Sequence, residues 1–418
     1  MAGTTKKQIV VGVDIGNTKV CTIIGEKMSD GTLEIIGAGL APVSGLRRGT
    51  IVDIDEVITA ISSSLEEAER MSGIPIEKAY VSISGSNVFS TSSRGVIAIG
   101  RADGEITKED VARALEAARA ISLPPNRDII HVIPRSFIVD GQEEIRDPVG
   151  MTGVRLEVDA HVVSASTPTV KNLLKCAYQA GLDVEELVLS SLASARALFS
   201  GKQKEIGVML LDIGGGTTDI AVFEEGEVLH TAVLPVGACH VTNDIAIGLR
   251  TSIDIAEKVK IDYGTALPAL VPEREVIDIS EIDPTLEPTK ISRRYVAEII
   301  EARMIEILVM ARDELKKIGR DGLLPAGVVL SGGGSKIPGI IDLAKDNLRL
   351  PVQVGIPYEA KGIIDKEKID DPVYSTAIGL ALWGMDSERG KERFMTNLME
   401  GLKGFRGIFS KIKSSFFK

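Results

Sequence analysis

The 418-residue chain is 44% apolar and 26% charged with a formal net charge of −11, a composition typical of folded domains but too long for one core, because domains usually hold roughly 100 to 200 residues. Net acidity excludes broad contact with nucleic-acid phosphates, which needs a basic patch or stripe. Cys21, Cys176 and Cys239 are odd in number, far apart and without metal-ligand spacing, and neither a signal-peptide core nor a run of about 18 apolar residues is found, so the body is expected to be cytoplasmic with free thiols.

Residues 8–15 (QIVVGVDI) form a β-branched run that ends in Gly16-Asn17-Thr18, and the run VCTIIG follows at once, which predicts a hairpin. Residues 55–73 predict an amphipathic helix stopped by Gly73, and 78–85 a strand. From Ser86 to Ser164 the texture changes to short strands around one helix at 107–121, which predicts a small α+β unit inserted in the first half. Helical and buried-strand patterns resume over 167–199.

Residues 206–213 (IGVMLLDI) then repeat the opening arrangement, ending in Gly214-Gly215-Gly216-Thr217-Thr218-Asp219 before the strand IAVF. Both turns contain Asp-Ile-Gly, and so wide a spacing implies two similar halves rather than a solenoid. A helical stretch at 238–264, an acidic section at 273–288 and a long helix at 291–319 follow. GVVLSGGGSKIPGI (327–340) is read as a strand running into a glycine turn that opens a helix. Residues 371–384 predict a last helix, and 386–393 (DSERGKER) a charged linker.

The glycine turns carry chemistry when taken together. Glycines leave backbone N–H groups open to a phosphate, and neighbouring hydroxyls add donors. Asp14 and Asp212 each sit at the end of a buried strand, where a carboxylate is costly without a partner. Mg²⁺ takes oxygen ligands and keeps several waters, so the two carboxylates suit it through water. Gly332-Gly333-Gly334-Ser335 follows a buried strand, where a base or phosphate can approach the backbone. The chain has neither a P-loop nor a Gly-x-Gly-x-x-Gly after a strand, which excludes Walker-type and Rossmann sites.

This set of turns, in this order, resembles the actin-like ATPase superfamily, and the resemblance implies an α/β fold of two ribonuclease-H-like halves with ATP in the cleft between them. Asp14, Gly16, Asn17, Thr18 and Lys19 match the first phosphate loop. Asp212, Gly214, Gly215, Gly216, Thr217 and Thr218 match the second, and Gly332, Gly333, Gly334 and Ser335 the adenosine loop. Glu257 and Lys260 match the nucleoside-contacting helix. Asn17 departs from the Ser or Thr often found there, and Thr18 can supply the hydroxyl. Active members carry an acid or amide after the first half to orient water, whereas SSLASARALF (190–199) offers only serines and Arg196. Weak turnover or none is expected.

The segment 124–163, preceded by YVSISGSNV (80–88), resembles the FtsA family of bacterial cell-division proteins, in which a small α+β module replaces one actin subdomain. The likeness runs from about Val10 to Trp383. It implies subdomain 1A at 1–85, 165–199 and 365–385, an SHS2-like subdomain 1C at 86–164, subdomain 2A at 200–236 and 320–364, and subdomain 2B at 237–319. It also implies self-association, contacts of the insert with later division proteins, and docking of the C-terminal peptide of the tubulin-like protein FtsZ on the second half. Arg293 and Arg294 are candidate partners for that peptide's acids.

The chain ends differently from its body. Five of nine phenylalanines lie in the last 25 residues, and 401–418 hold five Lys or Arg and no acid. On a helix, Phe394, Leu398, Leu402, Phe405, Phe409, Ile412 and Phe416 fall within an arc of roughly 80°. Lys403, Arg406, Lys411 and Lys413 occupy the remaining circumference. The pattern at 394–418 predicts a basic amphipathic helix that lies in an anionic membrane surface, and the family resemblance implies that this surface is the inner face of the cell membrane at the division septum. Docking of that stripe on the protein's own core is the plainer alternative. A pilus-assembly relative of the PilM type and a small-molecule kinase or phosphatase of the same superfamily remain open beside the division reading.

Overall fold

A computed structural model describes residues 8–282, 287–362 and 370–387. The tail at 394–418, most of the linker and the membrane-facing residues assigned there lie outside the described residues.

Two sheets repeat one topology. In the first, the strands Ile9–Ile15, Lys19–Lys27 and Leu33–Pro42 form an antiparallel meander, and Lys78–Ile83 and Asp183–Leu189 add in parallel beside Ile9–Ile15. In the second, Val208–Ile213, Thr218–Glu224 and Glu227–Leu234 make the meander, and Val328–Ser331 and Val352–Val354 add in parallel beside Val208–Ile213. The leading strand of each half is central, with nearly every residue buried, which is why both read as unbroken apolar runs rather than alternating ones.

Helices cover these sheets. Ile54–Ser72 starts at Asp53, whose side chain accepts from the Glu56 N–H, ends at Gly73 in the left-handed conformation, and buries Val57, Ile61 and Leu65 on the first sheet. Over the second sheet, the expected helical stretch at 238–264 is two helices, Ala238–Leu249 and Ile253–Tyr263. Arg250 breaks it with φ 53°, and Ser252 caps the second helix. The long helix is Arg293–Lys317, entered through the short strand Lys290–Ser292.

Three boundaries differ from the sequence expectation. Ala360–Gly362 pairs with Leu33–Pro42, so the chain has rejoined the first sheet before residue 365. The glycine cluster at 332–335 enters a 3-10 turn, Gly333–Lys336, and the α-helix begins only at Ile340. Residues 375–387 are helical, so Asp386, assigned to the linker, belongs to the last helix.

The insert holds four antiparallel strands in the order Val88–Ala98, Arg155–Ser166, Arg127–Val139, Gln142–Ile145, with the helix Lys108–Arg119 packed on them. Its own core includes Ile106, Phe137, Leu156 and Val158. It is less separate than its sequence pattern suggests, because Val88, Val163 and Ala165 belong to the core of the first half. It also bridges to the second half. Ser90 donates to the Thr231 carbonyl at 2.7 Å, the His161 ring meets Thr231 Oγ1 at 2.8 Å, and Arg146 pairs with Glu205 at 2.7 Å. Burial holds His161 down to about 3 and His131, which accepts from the Leu189 N–H, to about 4.

Candidate functional site

The two glycine turns face each other across a cavity of about 480 Å³. Their backbones match. Gly16 N–H donates to Lys19 O and Gly214 N–H to Thr217 O, both at 2.9 Å. Asp14 pairs across its hairpin with Cys21, and Asp212 with Asp219.

Their side chains are complementary. A Cβ on Gly215 would lie 2.5 Å from Thr18 Cγ2, and one on Gly216 2.7 Å from Asn17 Cγ. The first turn therefore fills the space that the second leaves bare, and the two halves meet at van der Waals contact. Asn17 also accepts from the Gly49 N–H at 2.9 Å. Behind them Gly332, at φ 75°, lies so close that a Cβ would fall 2.4 Å from Asp212 Oδ1, a place that only glycine fills without strain.

The floor of the cavity is acidic. Burial raises Asp14, opposed by Lys19 and Ser82. Burial also pushes Asp212 up to about 6, against hydrogen bonds from Ser194 and Thr376 and helped by the Asp14 charge. Asp219 rises to about 7 through burial and the Asp212 charge, while Ser84 and Thr217 donate to it at 2.5 and 3.2 Å. The Ser84 bond spans the cleft, since Ser84 follows a strand of the first sheet. Lys19 donates to the Val373 carbonyl and supplies positive charge beside the carboxylates.

Of the residues singled out in the sequence, Asp14, Gly16, Asn17, Thr18, Lys19, Asp212, Gly214, Gly215, Thr217, Glu257, Lys260 and Gly332 to Gly334 line this one cavity. Gly216, Thr218 and Ser335 stand behind it. Thr218 is fully buried and donates to Val236 O, and Ser335 donates to Gly332 O. Sequence reasoning missed Ser84, Ser190, Cys239, Ile261, Lys336 to Pro338, Val373 and Thr376 on the wall. Asp219, which closes the second turn, lines the cavity as well. Arg196 is elsewhere and bonds Asp386 and Glu359. Arg293 and Arg294 lie far along the chain from the turns and are already paired, with Glu275 at 2.6 Å and Glu273 at 3.1 Å.

Two sheets of one topology, closing a cleft between facing glycine turns, define an actin-like fold. Solved structures agree on that fold. The PilM-PilN type IV pilus biogenesis complex aligns with TM-score 0.67 and 19% identity over 90% of this chain and 98% of that one. MreB 5 of Spiroplasma citri bound to AMPPNP aligns with TM-score 0.52 and 15% identity over 94% and 99%. The family model "Cell division protein FtsA" matches residues 209–379, and "SHS2 domain inserted in FTSA" matches 85–164. The cell division protein FtsA of Pseudomonas aeruginosa is 40% identical over 93% of this chain and 92% of its own length, and that of Bacillus subtilis 41% identical over 89% and 82%. The chain belongs to the FtsA family of cell-division proteins.

Proposed function

We propose that this protein binds ATP with Mg²⁺ in the cleft and anchors an FtsZ polymer to the inner face of the cell membrane at the septum, itself assembling into filaments. The observation that carries the ATP reading is the pair of register-matched turns facing one cavity. Backbone N–H groups of both turns, Thr18, Thr217 and Lys19 hold the phosphate chain. Gly332 to Gly334 and Ile337 flank the base, and Glu257 and Lys260 reach the sugar. A protein of the same fold bound to AMPPNP supports nucleotide binding in general terms.

Mg²⁺ fits the charge. Burial raises all three carboxyls, Asp14, Asp212 and Asp219, and the Asp14 charge adds to the rise of Asp212 and both charges add to that of Asp219, a repulsion that a cation relieves. Asp14 and Asp212 are assigned to the ion through water, with the phosphates as its direct ligands. When bound, the ion neutralises phosphate charge. From the helix Ser190–Leu198, Asp212 is met by the Ser194 hydroxyl, and ATP serves chiefly as a conformational ligand with slow turnover.

No described helix is long and apolar enough to cross a membrane, and the tether is assigned to the basic amphipathic pattern at 394–418. The FtsZ peptide is assigned to the face of the second half around Arg293 and Arg294, where its acids compete with Glu273 and Glu275. The insert serves self-association and later division proteins. The pilus-assembly alternative shares the fold at 19% identity, whereas the division relatives reach 41%.

Fluorescent ATP titrated with and without Mg²⁺, and flotation on anionic and neutral vesicles with FtsZ present, test both parts. ATP binding that Mg²⁺ strengthens is expected. Vesicle binding should be lost when the chain is cut after Ser387, and FtsZ should float only with the full chain. Equal flotation of the full and cut chains removes the tether from the tail.

A further inference from the structure

Glu257 and Lys260 belong to the helix Ile253–Tyr263 and stand one turn apart on it, linked at 2.7 Å. Neither is held by its own helix alone. Thr242, on the neighbouring helix Ala238–Leu249 and 2% exposed, lies between them. Its hydroxyl donates to Glu257 Oε2 and accepts from Lys260 Nζ at 2.8 Å. Lys260 Nζ also reaches the Ala238 carbonyl at 3.4 Å.

The same first helical turn is tied to the second glycine turn. Ala238 N–H donates to Gly214 O and Cys239 N–H to Gly215 O, both at 2.8 Å. Thr242 is therefore the buried hub that sets Glu257 and Lys260 in register with the second turn, although it does not itself line the cavity. Both bonds received by Glu257 end on Oε2, so Oε1 is the atom left to accept from a ligand. Glu257 is 41% exposed and faces the cleft, whereas Lys260 is 10% exposed.

We propose that Thr242 is the positioning residue for sugar recognition in this cleft: its hydroxyl fixes the Glu257–Lys260 pair so that Glu257 Oε1 is presented to the hydroxyls of a ribonucleotide. The inference rests on the ATP reading above and assigns a role that neither glycine turn supplies. A carboxylate held in one orientation discriminates a sugar hydroxyl from its absence, because the wrong sugar leaves the acceptor desolvated and unpaired. A free carboxylate rotates to water and discriminates little.

The test uses the full chain and compares ATP, 2′,3′-dideoxy-ATP and inorganic tripolyphosphate as competitors of a fluorescent ATP probe. Wild type is expected to prefer ATP over the dideoxy nucleotide by about 10-fold. Thr242→Val, of the same shape without the hydroxyl, is expected to narrow that ratio to about 2-fold while leaving tripolyphosphate competition unchanged. Thr242→Ser should restore the wild-type ratio. Thr242→Cys, with a weak donor, should give an intermediate one and serves if the valine variant does not fold. A wild-type ratio in the valine or cysteine variant overturns the proposal while ATP binding stands. Equal loss of tripolyphosphate and ATP in these variants also overturns it, since the hub then supports the whole cleft. If wild type binds neither ATP nor tripolyphosphate, the ATP reading fails and this role with it.

Discussion

The two halves of this molecule use the same turn in opposite ways. Asp-Ile-Gly opens both, the first glycine makes the same backbone bond in both, and the strands leave in the same register. After that point the first turn places bulk, Asn17, Thr18 and Lys19, where the second places Gly215, Gly216 and Thr217. Across the hairpin, the first half pairs its aspartate with Cys21, whose thiol burial raises to about 12, and the second pairs its aspartate with another carboxylate, Asp219. A duplicated motif has thus become a socket and its filling. Glycines on one side are required because side chains occupy the other.

The strongest way to break this comparison is to put a side chain on the empty side. Gly215→Val drives its Cβ into Thr18 and cannot keep the halves in contact. Overpacking of about 1–3 kcal/mol at the cleft should weaken ATP binding by roughly 100-fold while each half keeps its secondary structure. Circular dichroism with a fluorescent-ATP titration checks both, and wild-type affinity would show that the turns do not need their contact. Asp212→Ala should follow in size. It weakens ATP binding in the proposed site to a lesser extent and takes the acceptor from Ser194 and Thr376, which still bond each other at 2.8 Å. Stability should therefore fall by only about 1 kcal/mol in a denaturant titration.

The extra carboxylate of the second turn sharpens the comparison through pH. Asp219 titrates at about 7 when folded against 3.8 as its ordinary value. It thus contributes stability at low pH that is lost as pH rises toward 7. Without nucleotide, Asp219→Asn should gain on wild type by about 2 kcal/mol between pH 5 and pH 7. Melting curves across that range read the difference directly, and a constant offset would remove the buried charge from the account. The smallest effect concerns one of the bonds by which the first half's insert grips the second half. His161 is held to about 3, below its ordinary 6.5, so its contribution is present above 6.5 and lost as pH falls. The stability advantage of wild type over His161→Gln should shrink by about 1 kcal/mol from pH 7 to about pH 5.5.

Much of this was legible in the residues. Central strands were plain because both faces are buried, which leaves uninterrupted runs such as IVVGVDI and VMLLDI, and the Asp-Ile-Gly repeat gave away the two halves. Positions that depend on partners far along the chain were not legible. Ser84, Val373 and Thr376 reach the cavity from strand and helix ends that carry no local mark of their destination. The edge strand Ala360–Gly362 is too short to show a period. Two misses had signals that a stricter reading would have used: Ser252 as an N-cap inside the helical stretch at 238–264, and Pro338, which separates the glycine cluster from its helix. Thr218 and Ser335 are expected as ligand contacts because they match the superfamily's second phosphate loop and adenosine loop. Their hydroxyls are spent on carbonyls of their own half.

The last described helix packs tightly on the helix Ser190–Leu198. It crosses that helix where Gly379 meets Ala193, so closely that a Cβ there would lie 1.8 Å from the Ala193 carbonyl. On the cleft side of this crossing Ser194 and Thr376 both hold Asp212. On the far side Arg196 grips Asp386 at 2.6 Å. From Gly379 to Asp386 the helix is about 10 Å long at the α-helical rise. A turn of about 10° at the crossing therefore swings its end by roughly 2 Å. Beyond that end the chain continues toward residues 394–418. A displacement of this helix at Thr376, beside Asp212, would therefore be felt at Asp386, where the described helix comes to its end.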